Sequence, residues 1–313
     1  MFCGKCGEDC GRHGKTRDGL QRWRCRGCKT TVSEPKPLPH MRTDLDAACQ
    51  ALGMLLEGMS IRAVTRLTGL DKGTVLRLVV KAGDQCKAFL ESALVNVAAN
   101  EVECDEQWAF VYCKERNALG RGPYGDSYVF TAVDRTTKLL LTFHVGKRCP
   151  EDTARFARKL AGVVVGRPLV STDGYTPYKV AIPAAFNGVD HGMVIKHFDT
   201  EPSAGRSRYS PPIVVGVTYY QNAGKPDIDR VCTSHVERHN LSNRMHNRRF
   251  TRLTNAFSKK WENHVHMFAL YAAWYNYCRR HQTLKTTPAV AAGKASEPWS
   301  LAKLLQESAR VAG

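Results

Sequence analysis

The chain opens with two cysteine pairs, Cys3-x2-Cys6 and Cys25-x2-Cys28, separated by 18 residues. The rest of residues 1–32 is polar and glycine-rich, too small and too hydrophilic to close a hydrophobic core. A segment of that kind folds only around a staple. Four thiolates at this spacing fit one tetrahedral zinc ion, two knuckles supplying the ligands and fixing a hairpin between them. Cys3, Cys6, Cys25 and Cys28 are therefore expected to hold zinc in a ribbon-like module. Cys10 is a fifth thiol within reach, read as a spare. The other cysteines are scattered, as core residues are.

The 313 residues leave room for two or three domains with a sizeable core. Lys+Arg 46 against Asp+Glu 29 gives a formal charge of +17. Such an excess suits a polyanionic partner, with a merely basic cytosolic or ribosomal protein as the competing reading. No run of eighteen apolar residues is present, so no membrane helix is expected. The start, MFCGKCGEDC, lacks the layout of a signal peptide. The expectation is a cytoplasmic chain with reduced thiols and no membrane partner.

After the cysteine module, SEPKPLPHMRT (33–43) reads as a proline-rich linker. From Asp44 the pattern turns helical, with Leu45, Ala48, Leu52, Leu55 and Leu56 on one stripe. IRAVTRL and TVLRLVVKA read as two further helices with Gly69 between them, and CKAFLESALVNVAA as a separate connecting helix, closing a region at 44–100. Ile61, Val64 and Leu67 on one helix and Val75 and Leu78 on the next form the apolar side of a helix-turn-helix, with Thr65 small and Gly69 at the turn. That leaves Lys72, Thr74, Arg77 and Lys81 to face a DNA major groove. On the hairpin, Arg22, Arg24 and Arg26 alternate along the return strand and are candidates for phosphate contact.

Residues 101–186 change character. VECDEQWAFVYCK, DSYVFTAVD and KLLLTFHVG read as strands, with DRTT as a turn closed by Asp134; TARFARKLAG reads as a helix and PLVSTD as a buried strand. This is an α/β pattern. Residues 187–231 read as irregular around one strand candidate, IVVGVTYY, and helices dominate from Ser234 onward, including WENHVHMFALYAAWYNYC and WSLAKLLQESA. The aromatic helix around Trp261–Tyr277 is a candidate interface, though core is the commoner role for such a segment.

Three acids stand out by context. Asp105 ends the apolar run VECD, on the opposite strand face from Glu106. Asp173 ends PLVSTD before Gly174, where a chain leaves a sheet edge. Glu237 projects from the basic segment beginning near Ser234. Such carboxylates hold Mg²⁺ or Mn²⁺ against a phosphodiester, and an RNase H-like fold gathers them from a central strand, a neighbouring strand end and a later helix. In that reading Asp105 bridges two ions, and Asp173 and Glu237 each complete one site. Glu103 and Glu106 are rivals to Asp105. Ser234-x-x-Glu237 is also a capping box, in which the glutamate serves only a backbone N–H. His235, Arg238 and Asn240 surround Glu237 and are candidates for holding the scissile DNA.

These residues resemble the Asp-Asp-Glu transposases, nearest the bacterial insertion-sequence family numbered one. The stretch GKTRDGLQRWRC and the helix-turn-helix resemble that family's DNA-binding part. CDEQWAFV resembles its first aspartate segment, STDGY its second, and HVERHNLSNR with RRFTRLTNAFSK its glutamate block; YNYCRRHQTLKTTPAVAAG resembles the tail of many such enzymes. Here one continuous chain carries parts that well-known members encode in overlapping frames. The resemblance implies a multidomain α+β protein: zinc ribbon at 1–32, linker at 33–43, helix-turn-helix region at 44–100, RNase H-like catalytic domain at 101–290 with an insertion near 187–231, and a helical tail at 291–313. It implies divalent-metal catalysis at Asp105, Asp173 and Glu237, a prokaryotic, DNA-associated location, terminal inverted repeats and target DNA as partners, and a homodimer or higher oligomer. Two competing functions are a non-catalytic DNA-binding regulator with a degenerate RNase H-like domain, and an RNase H-like nuclease that cleaves without joining.

Overall fold

The computed structural model describes the chain except positions 18, 35, 121, 200–212, 253 and 313. It is a mixed α+β protein with a cysteine cluster near its N-terminus and one large sheet. Strands β1 (Cys10–Lys15), β2 (Gln21–Cys25) and β3 (Thr31–Ser33) form a small antiparallel sheet in that order. Its interior is little more than Cys3, Cys10 and Cys25 with Trp23 against them.

Three helices follow, each started by a side chain that accepts an orphan backbone N–H. Asp44 caps α1 (Leu45–Leu56), Ser60 caps α2 (Ile61–Thr68) and Asp71 caps α3 (Lys72–Ala93). Gly69 ends α2 in the left-handed region at φ 70°. The expected break after Ala82 does not occur. Nothing between Lys81 and Cys86 stops a helix, so the two expected segments join as α3, which ends at Ala93; the last part of the expected connecting helix is not helical, and Val97–Ala98 is a short strand. Leu67, expected on the buried stripe, is exposed; Val64, Val75 and Leu78 are fully buried.

The central sheet is built from β5 (Glu101–Val111), β6 (Gly125–Asp134), β7 (Leu140–Gly146), β9 (Leu169–Thr172), β10 (Asp190–Phe198) and β11 (Val214–Ala223). Val97–Ala98 (β4) and Val164–Val165 (β8) form a separate two-stranded pair. The spatial order is β11-β10-β9-β5-β6-β7. β5, β6 and β7 form an antiparallel meander, whereas β9 lies parallel to β5 on its other side and β10 parallel to β9. Helices α4 (Pro150–Val163) and α5 (Tyr178–Ala185) make the crossovers. The Asp134 carboxylate accepts the Thr137 N–H and hydroxyl, closing the expected turn.

Residues 190–198, read as irregular, are a sheet strand, and 178–185, unassigned from sequence, form a helix despite Pro183. Residues 200–212 of the expected insertion lie outside the described residues. Asp105 ends the apolar run but not the strand: EQWAFV continues β5 to Val111, so Asp105 sits mid-strand.

Alternation assigns the two faces of β5. Glu106 lies opposite Phe130, on the side where Phe130, Phe156 of α4 and Tyr178 of α5 cluster. Glu103, Asp105 and Gln107 face α6 (Ser234–His246). Helix α7 (Trp261–Tyr277) is buried on nearly every side, so it is core and not the interface considered above. The short α8 (Pro288–Ala291) and α9 (Leu301–Ala312) complete the chain, and α9 packs on α3. One continuous core runs from Leu38 to Leu305.

Gly83 sits where α3 crosses α7, and a Cβ there would strike the His266 carbonyl. Gly83→Ala should therefore destabilise by about 1–3 kcal/mol, although alanine is the better helix former. Thermal unfolding tests this; an unchanged or raised midpoint would mean that the helices separate easily.

Candidate functional site

Register explains the spacing of the two aspartates. Along the parallel pair, Glu101 meets Leu169, Val102 meets Val170 and Glu103 meets Ser171. The same offset, carried two residues further, brings Asp105 beside Asp173, just beyond the end of β9. β9 is an interior strand, so Asp173 leaves the sheet at a strand end and not at an edge. A Cβ at Gly174 would sit 3.0 Å from the Ile195 side chain, a tight contact that Ile195 would have to relieve.

Oxygens of Asp105, Glu106 and Asp173 all lie within 4.8 Å of one another. Asp105 accepts the Glu106 N–H at 2.8 Å and the Asn240 side-chain amide at 2.7 Å. Asp173 accepts the Tyr175 N–H at 2.9 Å. Glu106 accepts from Arg148 Nε at 2.7 Å and the Tyr178 hydroxyl at 3.0 Å. Arg148 in turn stacks over Tyr175, 4.2 Å from its ring centre.

Glu237 stands apart from this trio. Its carboxylate accepts from Lys196 Nζ and, at 2.8 Å, from the Thr233 hydroxyl. It is close enough for its charge to reach Asp105. The capping-box reading with Ser234 does not hold: Thr233 is the N-cap, and Glu237 bonds a hydroxyl, not a backbone N–H. The helix start is served by Glu103, whose buried carboxylate accepts the His235 and Val236 N–H groups at 2.7 and 3.1 Å. Glu103, Asp105 and Gln107, alternate residues of one strand, thus all grip α6. Gln107 donates to the Asn240 carbonyl and accepts from Asn243.

Burial, then the charges of Glu106 and Asp173, push the Asp105 carboxyl up to about 7. Glu106 is likewise raised to about 7, by burial and then Asp173, with Arg148 opposing. An all-oxygen set that resists ionisation alone suits a hard divalent cation such as Mg²⁺ or Mn²⁺. The linkage has a definite sign. With folded pKa values above the ordinary carboxylate range, these groups favour the fold below about pH 4, and that contribution is lost as pH rises through about 7. In EDTA, stability should fall across that window, and Mg²⁺ should restore it at pH 8 but not at pH 5. Scanning fluorimetry with and without metal measures this. Metal-independent midpoints at pH 8 would count against the cluster as a cation site.

In the N-terminal module, sulfurs of Cys3, Cys6, Cys25 and Cys28 lie within 4.8 Å of one another. Cys3 and Cys28 are 3.6 Å apart and Cys6 and Cys25 3.4 Å. Zinc–sulfur bonds of about 2.3 Å give a tetrahedral edge of about 3.8 Å, so the four thiols fit zinc. The hydroxyl and backbone N–H of Thr30 pull the Cys28 thiol down to about 6. Cys10 is buried beside this cluster but outside the four-sulfur set.

The expected DNA-facing residues fare unequally. Lys72, Arg77 and Lys81 are exposed; Arg77 and Lys81, four residues apart, share a face of α3, whereas Lys72 opens the helix on another side, and Thr74 is half-buried with its hydroxyl held by Arg77 at 3.1 Å. On β2, the middle strand of its sheet, Arg24 is exposed and Arg22 half-buried; Arg26, just past the strand, is exposed. Arg238 is exposed, His235 turns to Glu103 and Asn240 is 4% exposed with its amide on Asp105. Glu106 had been weighed only as a rival to Asp105, and the parts played by Arg148, Tyr178 and Lys196 had no signal in the sequence.

No family model and no curated protein matches the chain. Among solved structures, it is similar to a piggyBac transposase in a synaptic complex with hairpin DNA, determined by cryo-EM. The identity is 11%, the match covers 85% of this chain and 70% of that one, and the TM-score is 0.42. Among the described residues no helix is long and apolar enough to cross a membrane.

Proposed function

We propose that the protein is a DNA transposase of the Asp-Asp-Glu class, related to the insertion-sequence family numbered one. In this reading it binds terminal inverted repeats and performs metal-dependent strand cleavage and transfer as a dimer or larger assembly. The observation that carries it is the approach of the Asp105 and Asp173 carboxylates to within 4.8 Å of each other, where β9 ends beside β5 and α6, the helix bearing Glu237, packs on β5. An antiparallel meander followed by two parallel strands, with helices on both faces, is the topology expected of an RNase H-like fold.

Asp105, Asp173 and Glu237 are the proposed Mg²⁺ or Mn²⁺ ligands, with Glu106 beside them. A bound cation of this kind activates a water or 3′-hydroxyl and offsets charge on the leaving oxygen. The chain's own residues hold the carboxylates in position: Asn240 fixes Asp105, Tyr175 fixes Asp173, and Arg148 with Tyr178 fixes Glu106. Glu237 is held by Lys196 and would have to leave that partner to join them. The exposed Lys72, Arg77 and Lys81, with Arg22 and Arg24, would grip duplex backbone, and the net charge of +17 makes that grip sensitive to salt.

The test is incubation of the full chain with a duplex carrying its element's ends, a target plasmid and Mg²⁺. Joined products support the proposal. Cleavage without joining would indicate a nuclease, and binding alone a regulator.

A further inference from the structure

A second group of metal-ligating side chains lies on the same row of β5, one alternate position before Asp105. The Glu103 carboxylate, the Cys232 sulfur and a ring nitrogen of His235 each offer an atom, all within 4.8 Å of one another. Glu103 is 1% exposed and comes from the sheet, whereas Cys232 immediately precedes the Thr233 cap of α6 and His235 lies in the first turn of that helix. His235 Nδ1 is 2.6 Å from Glu103 Oε1.

The sulfur has the environment of a ligand. The backbone N–H of Ser234, two residues on, points at Cys232 Sγ at 3.3 Å, and the Ser234 hydroxyl is 3.0 Å from it. In the ribbon the same relation recurs, with backbone bonds of Lys5, Glu8 and Thr30 serving Cys3, Cys6 and Cys28. Cys232 is further tied down through its own N–H, which donates to Ser171 on β9 at 3.3 Å. Lys138, whose charge reaches this group, directs its ammonium to the Arg135 carbonyl.

We infer that Glu103, Cys232 and His235 form a second zinc site, distinct from the ribbon and from the all-oxygen carboxylate cluster. One sulfur, one nitrogen and one oxygen suit borderline-soft Zn²⁺ and leave a fourth position for water. The all-oxygen cluster beside it prefers Mg²⁺ or Mn²⁺. A metal here fastens the first turn of α6 to β5 and so fixes the base from which Glu237 projects. The site stands independently of any strand-transfer chemistry.

The experiment is zinc content of the purified full chain, by mass spectrometry of the metal, after dialysis with zinc and excess Mg²⁺. Two zinc ions per chain are expected, falling to one in Cys232→Ser and in His235→Ala and staying at two in Cys113→Ser. X-ray absorption on the wild-type chain needs no variant and should give a mean below four sulfurs per zinc, with nitrogen or oxygen in the first coordination sphere. One zinc per wild-type chain, a pure four-sulfur signal, or two zinc ions retained in folded Cys232→Ser would overturn the assignment.

Discussion

Asp105→Asn should reduce metal-dependent strand cleavage and transfer by at least about a thousandfold, roughly 4 kcal/mol of transition-state stabilisation, while leaving duplex binding largely intact. The substitution keeps the shape of the side chain and a carbonyl that can still accept from Asn240 or from the Glu106 N–H. It removes the charge that a divalent cation requires. It also removes the carboxyl whose ionisation is disfavoured by burial and by Glu106 and Asp173. Without metal at pH 8 the variant should therefore be more stable than the wild type, and Mg²⁺ should stabilise it less. That combination separates a lost metal ligand from a damaged fold. A variant that is inactive because it melts early would not support the assignment, and one that cleaves normally would remove Asp105 from the chemistry.

Cys25→Ser is expected to release one zinc ion per chain and to unfold the N-terminal module without unfolding the rest. Cys25 is 1% exposed, pairs with Cys10 across β1 and β2, and is one of three residues that make up the module's interior. Zinc binding in such a module is folding free energy, on the order of 10 kcal/mol. The remaining core, from Leu38 to Leu305, contains none of the four thiols. Limited proteolysis should cut within the first 34 residues, the main thermal transition should persist, and duplex affinity should fall at least about tenfold as Arg22 and Arg24 lose their scaffold. Unchanged zinc content would refute the ligand assignment. Unchanged affinity with zinc lost would show that the module serves something other than DNA.

Parts of this architecture were legible because local rules determine them. The cysteine spacing carries its own geometry, and β5 to β7 are rich in the β-branched and aromatic residues that favour strands. Asp44 marks a helix start that the structure keeps. Other parts depend on pairing that no single segment encodes. The 68-residue offset between Asp105 and Asp173 is a strand register, visible only once β9 lies beside β5. β10 was obscured by Gly192, which is small because Val231 packs against it, and α5 by Pro183. Glu103 looked like a rival to Asp105 in the carboxylate cluster, yet it faces the start of a helix more than 130 residues away, bonding two of its backbone N–H groups and the His235 ring. Glu237, read as a metal ligand with a helix cap as the competing role, faces Lys196 on β10, a strand the sequence had not revealed.

The most direct measurement is a crystal structure of the full chain with Mn²⁺ and an end duplex, with the metal located by its anomalous scattering. An ion contacting both Asp105 and Asp173, with Glu237 swung from Lys196 toward it, is the predicted result. Mn²⁺ absent from those two carboxylates while the duplex is bound would contradict the account.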